Sequence, residues 1–320
     1  MSTTLSDVQD GETPPINLGP SSSRLGEKAI VGWLLLCASL SVLITVGIVA
    51  ALLGDTIRFF QRVPLSEFFR VGQWAPWQGD FPVFNLVMGT LNITMYALII
   101  AIPGGLGAAI WLSEYASNRT RKIVKPVIEV LEGVPTVAYG LFALLFIAPM
   151  LKSVWPTWLP GKLGQEPELQ FAGAAALVMG VMLIPTIASI SEDAMRAVPS
   201  GLRQAAYGLG STKMQVALKV VVPAALSGIV AAFVLGISRG IGETMLVLMA
   251  AGATPNASLW PNDSVLTMTA FIARTAGGDI SHGSTEYYTI FAVGSVLFVM
   301  TLGMNMIADF FVRRFRETYE

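Results

Sequence analysis

Phe171-Ala-Gly-Ala-Ala-Ala-Leu-Val-Met-Gly-Val-Met-Leu-Ile-Pro-Thr-Ile-Ala-Ser-Ile190 runs for twenty residues without one charged side chain. Coiled as a helix, about 20 such residues cross roughly 30 Å of hydrocarbon. Helix is the required form, because lipid offers no partner to unpaired backbone groups and the run is too long and continuous for a barrel strand. Comparable windows recur at residues 29–53, 86–112, 126–150, 224–250 and 288–311. The expectation is an all-α integral membrane protein with six transmembrane helices. Pro103, Pro135 and Pro185 lie inside these windows and are expected to kink them.

Composition points the same way. Of the 320 residues 53% are hydrophobic and 13% charged, against roughly 25% charged in ordinary soluble domains. The single Cys37 and single His282 exclude a disulfide framework and cannot supply the ligands that zinc requires, so no metal site is expected. A net charge of −1 provides no basic field for nucleic acid, which is not expected as a partner. Residues 1–27 are rich in Ser, Thr, Gly, Pro and Asp and are expected to form a disordered tail. Residues 28–320 then form one six-helix transmembrane domain. The first window is too long for a signal-peptide core and lacks a small-x-small cleavage site, so it is expected to remain as a span.

Basic residues orient the chain. With a cytoplasmic N-terminus, thirteen Lys and Arg fall on the inner side, six on the outer side, and Arg239 remains inside a helix. That asymmetry follows the positive-inside rule and is expected to put both termini in the cytoplasm. The outer segments carry Trp74, Trp77, Trp155, Trp158 and Trp260. Two readings are open for them: anchoring at the lipid headgroups, or docking of a soluble partner.

The longest inner loop, residues 192–223, is too polar for membrane. Ser200 is expected to cap a short helix through Tyr207. Gly208 and Gly210 interrupt it, and Ser211 or Thr212 is expected to cap a second helix running to Val222. A helix-turn-helix tethered between two spans is a poor DNA reader. Gly208-Leu-Gly-Ser-Thr-Lys213 lacks the GxxxxGK[ST] spacing of a phosphate-binding loop, so this chain is not expected to hydrolyse ATP.

Gln204-Ala205-Ala206, three residues, Gly210, nine residues and Val220-x-Val222-Pro223 resemble the EAA loop of importer-type ABC permeases, EAA-x3-G-x9-I-x-L-P. The resemblance implies a MetI-like (type I) permease fold whose coupling helix seats on an ATPase subunit, with Gln204, Ala205, Ala206, Gly210 and Pro223 in that role. Small Ala and Gly are expected to let the two short helices approach closely and transmit motion rigidly. Gln204 stands where the family usually has Glu, which removes a charge from that contact.

In the fifth window, Leu235-Gly-Ile-Ser-Arg239-Gly-Ile-Gly-Glu243-Thr-Met puts two ionisable residues within hydrocarbon, at about 2.5–3.5 kcal/mol each by insertion scales. Their i, i+4 spacing places both on one helical face, where Glu243 can neutralise Arg239. Gly236, Gly240 and Gly242 are expected to leave room around them. Either the pair lines an anion path, for which the planar guanidinium suits an oxyanion, or it is a structural ion pair. Glu129 and Glu132 lie near the basic loop, are expected to pair locally, and are left outside the site.

Arg239-Gly-Ile-Gly-Glu243-Thr-Met, Val134-Pro-Thr-Val-Ala-Tyr-Gly140 and Ser189-Ile-Ser-Glu-Asp-Ala-Met-Arg-Ala-Val-Pro199 resemble segments of the phosphate permeases of the Pst system, more the PstC-like than the PstA-like subunit. The resemblance implies a substrate path through Arg239 and Glu243 and a heterodimer with a PstA-like permease. It also implies two PstB-like ATPases that hold ATP and Mg, and a PstS-like extracytoplasmic phosphate-binding protein. A permease of the same architecture for sulfate, molybdate or another small solute is the near alternative, and an ion-coupled secondary transporter the distant one. The latter is favoured by inverted repeats, which the sequence does not display.

Overall fold

The computed structural model describes residues 25–314, and those residues are helices and connecting segments without a named strand. The expected tail at residues 1–24 and the C-terminal residue 320, to which the arginine count assigns a side of the membrane, lie outside the described residues. Residues 25–27 belong to the first helix rather than to a tail. The chain divides into two units, residues 1–51 and 52–320. In the first, the described residues are the leading part of α1 (Leu25–Phe60), apolar on all faces, as lipid contact requires.

The second unit begins with the end of α1 and a short α2 (Leu65–Phe68). α3 (Phe84–Ile110) passes into a π turn at Trp111–Tyr115. α4 (Asn118–Glu132) comes next, started by Ser117, whose hydroxyl accepts from the Thr120 N–H. The third span then comprises α5 (Thr136–Phe142), a π turn at Ala143–Ile147 and α6 (Ala148–Ser153). α7 (Ala172–Arg196) is the fourth. α8 (Ser200–Gly208) and α9 (Lys213–Val216) make the helix-turn-helix, which continues through a π turn at Ala217–Val221 and α10 (Val222–Ala224). The fifth region holds α11 (Leu226–Ile241) and α12 (Met245–Ala250). α13 (Met268–Ala276) and α14 (Thr285–Arg314) close the chain.

Among the described residues five helices are long and apolar enough to cross a membrane, or six if Lys213–Ala224 and Leu226–Ile241, bent by 74°, form one span. Two expected windows are corrected. Residues 126–150 are not one helix: Gly133-Val134-Pro135 separates α4 from α5, and hydropathy averages across that break. None of the fifteen residues of α4 is buried. Its inward side carries Arg121, Lys125 and Glu132, while Ile123, Val127 and Val130 are exposed. Residues 224–250 are likewise interrupted at Gly242–Thr244.

The core lies where α3 and α7 meet, around Leu86, Ile93, Met179, Met182, Leu183 and Ile187. Small residues set this seam. A Cβ on Gly180 would stand 2.9 Å from both the Ala97 carbonyl oxygen and Ile100 Cβ, and one on Gly105 2.7 Å from Ile187 Cβ. α11 seats on α7 by the same device, for a Cβ on Gly236 would lie 3.0 Å from Ile187 Cδ1. The Trp residues divide. Trp74 is buried, edge-on to Phe271 at 4.9 Å, and is part of the core, while the half-buried Trp155 packs against Phe171 at 5.8 Å. Trp77, Trp158 and Trp260 are exposed.

Candidate functional site: an arginine cluster and a loop with an open face

Ile229, Ala232, Gly236 and Gly240 recur at helical spacing and are the buried stripe of α11. With that stripe against its neighbours, the adjacent Arg239 is aimed at two other elements. Its Nη1 donates to Glu132 Oε1 at 2.8 Å and to Thr186 Oγ1 at 2.7 Å. Nη2 reaches the Glu132 carbonyl at 3.4 Å. The triangle closes with Thr186 Oγ1 donating to Glu132 Oε1 at 2.9 Å. Glu132 ends α4 beside the Gly-Val-Pro break, and Thr186 sits just after Pro185 in α7. The Arg239 and Glu132 side chains are 27% and 36% exposed, so the cluster is open on one side. The Nε–H and the second Nη2 N–H have no acceptor among the described residues.

Glu243 does not pair with Arg239. The helix expected to present both on one face ends at Gly242, and the Glu243 carboxylate turns to accept the Leu246 N–H at 3.2 Å, satisfying a donor at the start of α12. Its carbonyl accepts from Thr269 Oγ1 at 2.7 Å, which ties the break to the start of α13. The glycines do not clear space either. Gly236 abuts Ile187 closely enough that it serves packing, and a Cβ on Gly240 would find Thr94, Leu183 and Met179 at ordinary contact distance, so neither borders open space. Glu132 and Thr186 are the functional candidates missed from sequence. The available signal is Glu132-Gly-Val-Pro135, a helix stop that moves Glu132 from mid-span to a helix end.

The expected coupling residues have separate roles. Ala206 is inward, in a cluster with Ala109, Met195, Val198, Val216 and Val221. Gln204, Ala205 and Pro223 are exposed, as are Tyr207, Leu209, Met214 and Leu218. Gly210 has φ +82° and no neighbour within 4 Å of an added Cβ, so the turn needs glycine for its left-handed backbone rather than for close approach. Thr212 caps α9 as expected, in a reciprocal box with Gln215. Ser200 does not cap α8, because Pro199 occupies that position.

Two ionic clusters fasten this region. Arg203 of α8 donates to Glu114 Oε1 at 3.1 Å and to the carbonyls of Met195 and Val198 at 2.8 and 2.7 Å. Glu192 of α7, with its side chain fully buried, receives Lys125 at 2.7 Å and stands 3.7 and 3.8 Å from Arg121 and Arg196. Lys125 also binds Asp193. Burial opposes the Lys125 charge, but hydrogen bonds to Asp193 and Glu192 outweigh it and hold the ammonium above the ordinary lysine range. Lys125 and Glu132 are seven apart on α4, two turns along one face, so α4 is stapled to the bundle at both ends of that face.

Apolar helices broken at two places, a guanidinium set among them and a polar loop with an exposed apolar face define a multi-pass membrane transport subunit. The chain belongs to the binding-protein-dependent transport system inner membrane component family, whose model matches residues 101–317. It is 36% identical over 237 residues to the probable ABC transporter permease protein YqgH of Bacillus subtilis, covering 73% of this chain and 74% of that one. It is 31% identical over 258 residues to the phosphate transport system permease protein PstC of Haemophilus influenzae, covering 77% and 80%. With PstC 1 of Mycobacterium tuberculosis identity is 36% over 251 residues, covering 73% and 72%. The fold is similar to that in a bacterial alginate ABC transporter, with TM-score 0.63 at 18% identity over 93% of this chain and all of that one. It is also similar to that in the MetNI methionine ABC transporter, with TM-score 0.56 at 18% identity over 76% of this chain and all of that one. These likenesses establish a MetI-like all-helical permease fold.

Proposed function

We propose that this chain conducts inorganic phosphate across the bacterial cytoplasmic membrane, as the PstC-like permease subunit of an ATP-driven importer working by alternating access. The observation that carries the substrate is Arg239, a guanidinium within the apolar bundle that keeps two N–H donors unengaged beside the Glu132–Thr186 pair. Relatives named as phosphate permeases over more than seventy percent of the chain support the same substrate. A PstA-like paralogue completes the path, two PstB-like ATPases bind ATP and Mg, and a PstS-like extracytoplasmic protein delivers phosphate. The exposed face of α8–α10, with Gln204, Ala205, Leu209 and Met214, is the ATPase seat, and Ala206 and Gly210 hold its shape. Both termini are cytoplasmic, and this chain contributes path and coupling while hydrolysis occurs on its partners.

The test is ATP-dependent uptake of radiolabelled phosphate by vesicles holding the complete complex, with sulfate and molybdate as competitors. Phosphate-selective uptake that Arg239→Ala abolishes with assembly intact is the expected result. Preference for another oxyanion would overturn the substrate. Unaltered uptake by Arg239→Ala would overturn the path.

A further inference from the structure

If Arg239 contacts the transported anion, the next group that anion meets is Glu132, and any role for this carboxylate in selection rests on that contact. Glu132 Oε1 already receives Arg239 Nη1 and the Thr186 hydroxyl, and more than a third of the side chain, 36%, remains exposed. An ionised carboxylate accepts hydrogen bonds and donates none. It therefore repels an oxyanion whose oxygens are all deprotonated, yet hydrogen-bonds one that carries a hydroxyl. Thr186 cannot relieve the repulsion, since its single hydroxyl hydrogen is given to Glu132 while its oxygen accepts from Arg239.

We propose that Glu132 is a specificity-determining residue of the path, admitting an oxyanion that brings its own hydrogen-bond donor. Phosphate near neutral pH keeps at least one P–O–H. Its bare oxygens take the unengaged Nε–H and Nη2 N–H of Arg239, and its hydroxyl donates to the Glu132 carboxylate. Sulfate presents the same charge and shape without the proton and faces the carboxylate unpaired. The discrimination is double, because the right ion gains a charge-assisted bond and the wrong one meets a like charge.

The test reads Arg239 directly. The complete complex in detergent, without nucleotide, is treated with phenylglyoxal, and modification of Arg239 is measured by peptide mass spectrometry. Phosphate, sulfate and monofluorophosphate, which has fluorine in place of the hydroxyl, are compared at matched ionic strength. In the wild type, phosphate should protect at about tenfold or more lower concentration than the other two, the scale of one hydrogen bond to a charged group. In Glu132→Gln, whose amide also donates, that ratio should fall to about one, while Glu132→Asp should keep the preference. Protection with an unchanged ratio in Glu132→Gln overturns the role of Glu132 and leaves the Arg239 contact standing. Absence of protection by any anion in either protein overturns the contact and the inference with it. If Glu132→Gln does not co-purify with its partners, the wild-type comparison of phosphate with monofluorophosphate decides, and equal protection overturns the proposal.

Discussion

Arg239 Nη1 on α11 lies 2.8 Å from Oε1 of Glu132, the residue that closes α4, and the two share the Thr186 hydroxyl at 2.7 and 2.9 Å. Three elements far apart in sequence thus converge on one guanidinium. Lysine at this position would keep the charge but lose the planar fork and two of the five N–H donors, so it could not hold Glu132, Thr186 and a bidentate anion together. Arg239→Lys is expected to leave the complex assembled and to lower uptake by about 10- to 100-fold, the cost of one or two hydrogen bonds to a charged group. Initial rates of phosphate uptake at saturating ATP check this.

The interface of α3 with α7 has no spare volume. A Cβ at Gly180 would fall 2.9 Å from the Ala97 oxygen and from Ile100 Cβ, one contact being backbone that cannot rotate away. Gly180→Val should destabilise the chain by about 1–3 kcal/mol or more through overpacking. The expected readout is a lowered unfolding temperature in detergent and reduced recovery of the assembled complex, whereas Gly107→Ala, with nothing within 4 Å, should be silent.

Gly210 separates backbone strain from surface contact. With φ +82° and open space around it, Gly210→Ala is expected to cost about 1–2 kcal/mol for its left-handed backbone and to leave much of the coupling. Gly210→Trp carries the same strain and also projects an indole from the exposed loop face. It should insert and assemble yet uncouple ATP hydrolysis from uptake. Parallel measurements of both activities in vesicles distinguish the two variants, and equal uptake by Gly210→Trp and wild type would sink the coupling role.

The spans at α1, α3, α7 and α14 are legible in the sequence as continuous apolar runs, and the short helices α8 and α9 are marked by the Gly208–Gly210 interruption between them. Arg239 stands out because a charge in an apolar window is costly. The partner of Arg239 is not legible, for it lies 107 residues away with no local pattern to mark it, while the nearer Glu243 offers a plausible i, i+4 pair. That pair needs one continuous helix, which Gly240-Ile-Gly242 and the capping carboxylate of Glu243 prevent. α4 is hidden for a related reason. Three of its charges, Arg121, Lys125 and Glu132, turn inward while Ile123, Val127, Val130 and Leu131 are exposed, and its apolar second half runs into the span after it.

The buried Glu192 gathers Lys125, Arg121 and Arg196, and removing its charge would leave Arg121 and Arg196 without it while Lys125 keeps Asp193. Glu192→Ala is expected to cost about 1–3 kcal/mol, the scale of lost hydrogen bonds to a charged group, because the remaining cations reach water and Lys125 keeps Asp193. The Lys125 ammonium is held above its ordinary range. A raised lysine contributes stability that is fully present below its unfolded value and is lost only as pH rises through the folded one. Lys125 should therefore add no pH dependence to the unfolding temperature between about pH 6 and pH 9. A thermal-unfolding series across that window, in wild type and Glu192→Ala, checks both statements.

Arg203 joins α8 to two elements at once: its guanidinium takes Glu114 in the π turn after α3, the Met195 carbonyl in the last turn of α7 and the Val198 carbonyl just beyond it. The Met195 carbonyl is at the negative end of the α7 dipole, so the cation is favoured there even without Glu114. Removing the acid alone and removing the base alone should consequently differ. Glu114→Gln keeps a hydrogen-bond acceptor and leaves Arg203 on the α7 terminus, and uptake is expected to fall only a few-fold. Arg203→Ala strands the Glu114 carboxylate, whose side chain is 5% exposed, and frees both carbonyls. It is expected to loosen α8 from α7, with ATPase activity persisting in the complex while uptake drops by tenfold or more, about 1.4 kcal/mol or beyond. Hydrogen exchange of residues 200–208 gives the independent readout: faster exchange confined to α8 in Arg203→Ala, and little change in Glu114→Gln, is the expected pattern. Equal effects of the two substitutions would mean that the ion pair, not the helix terminus, holds the loop.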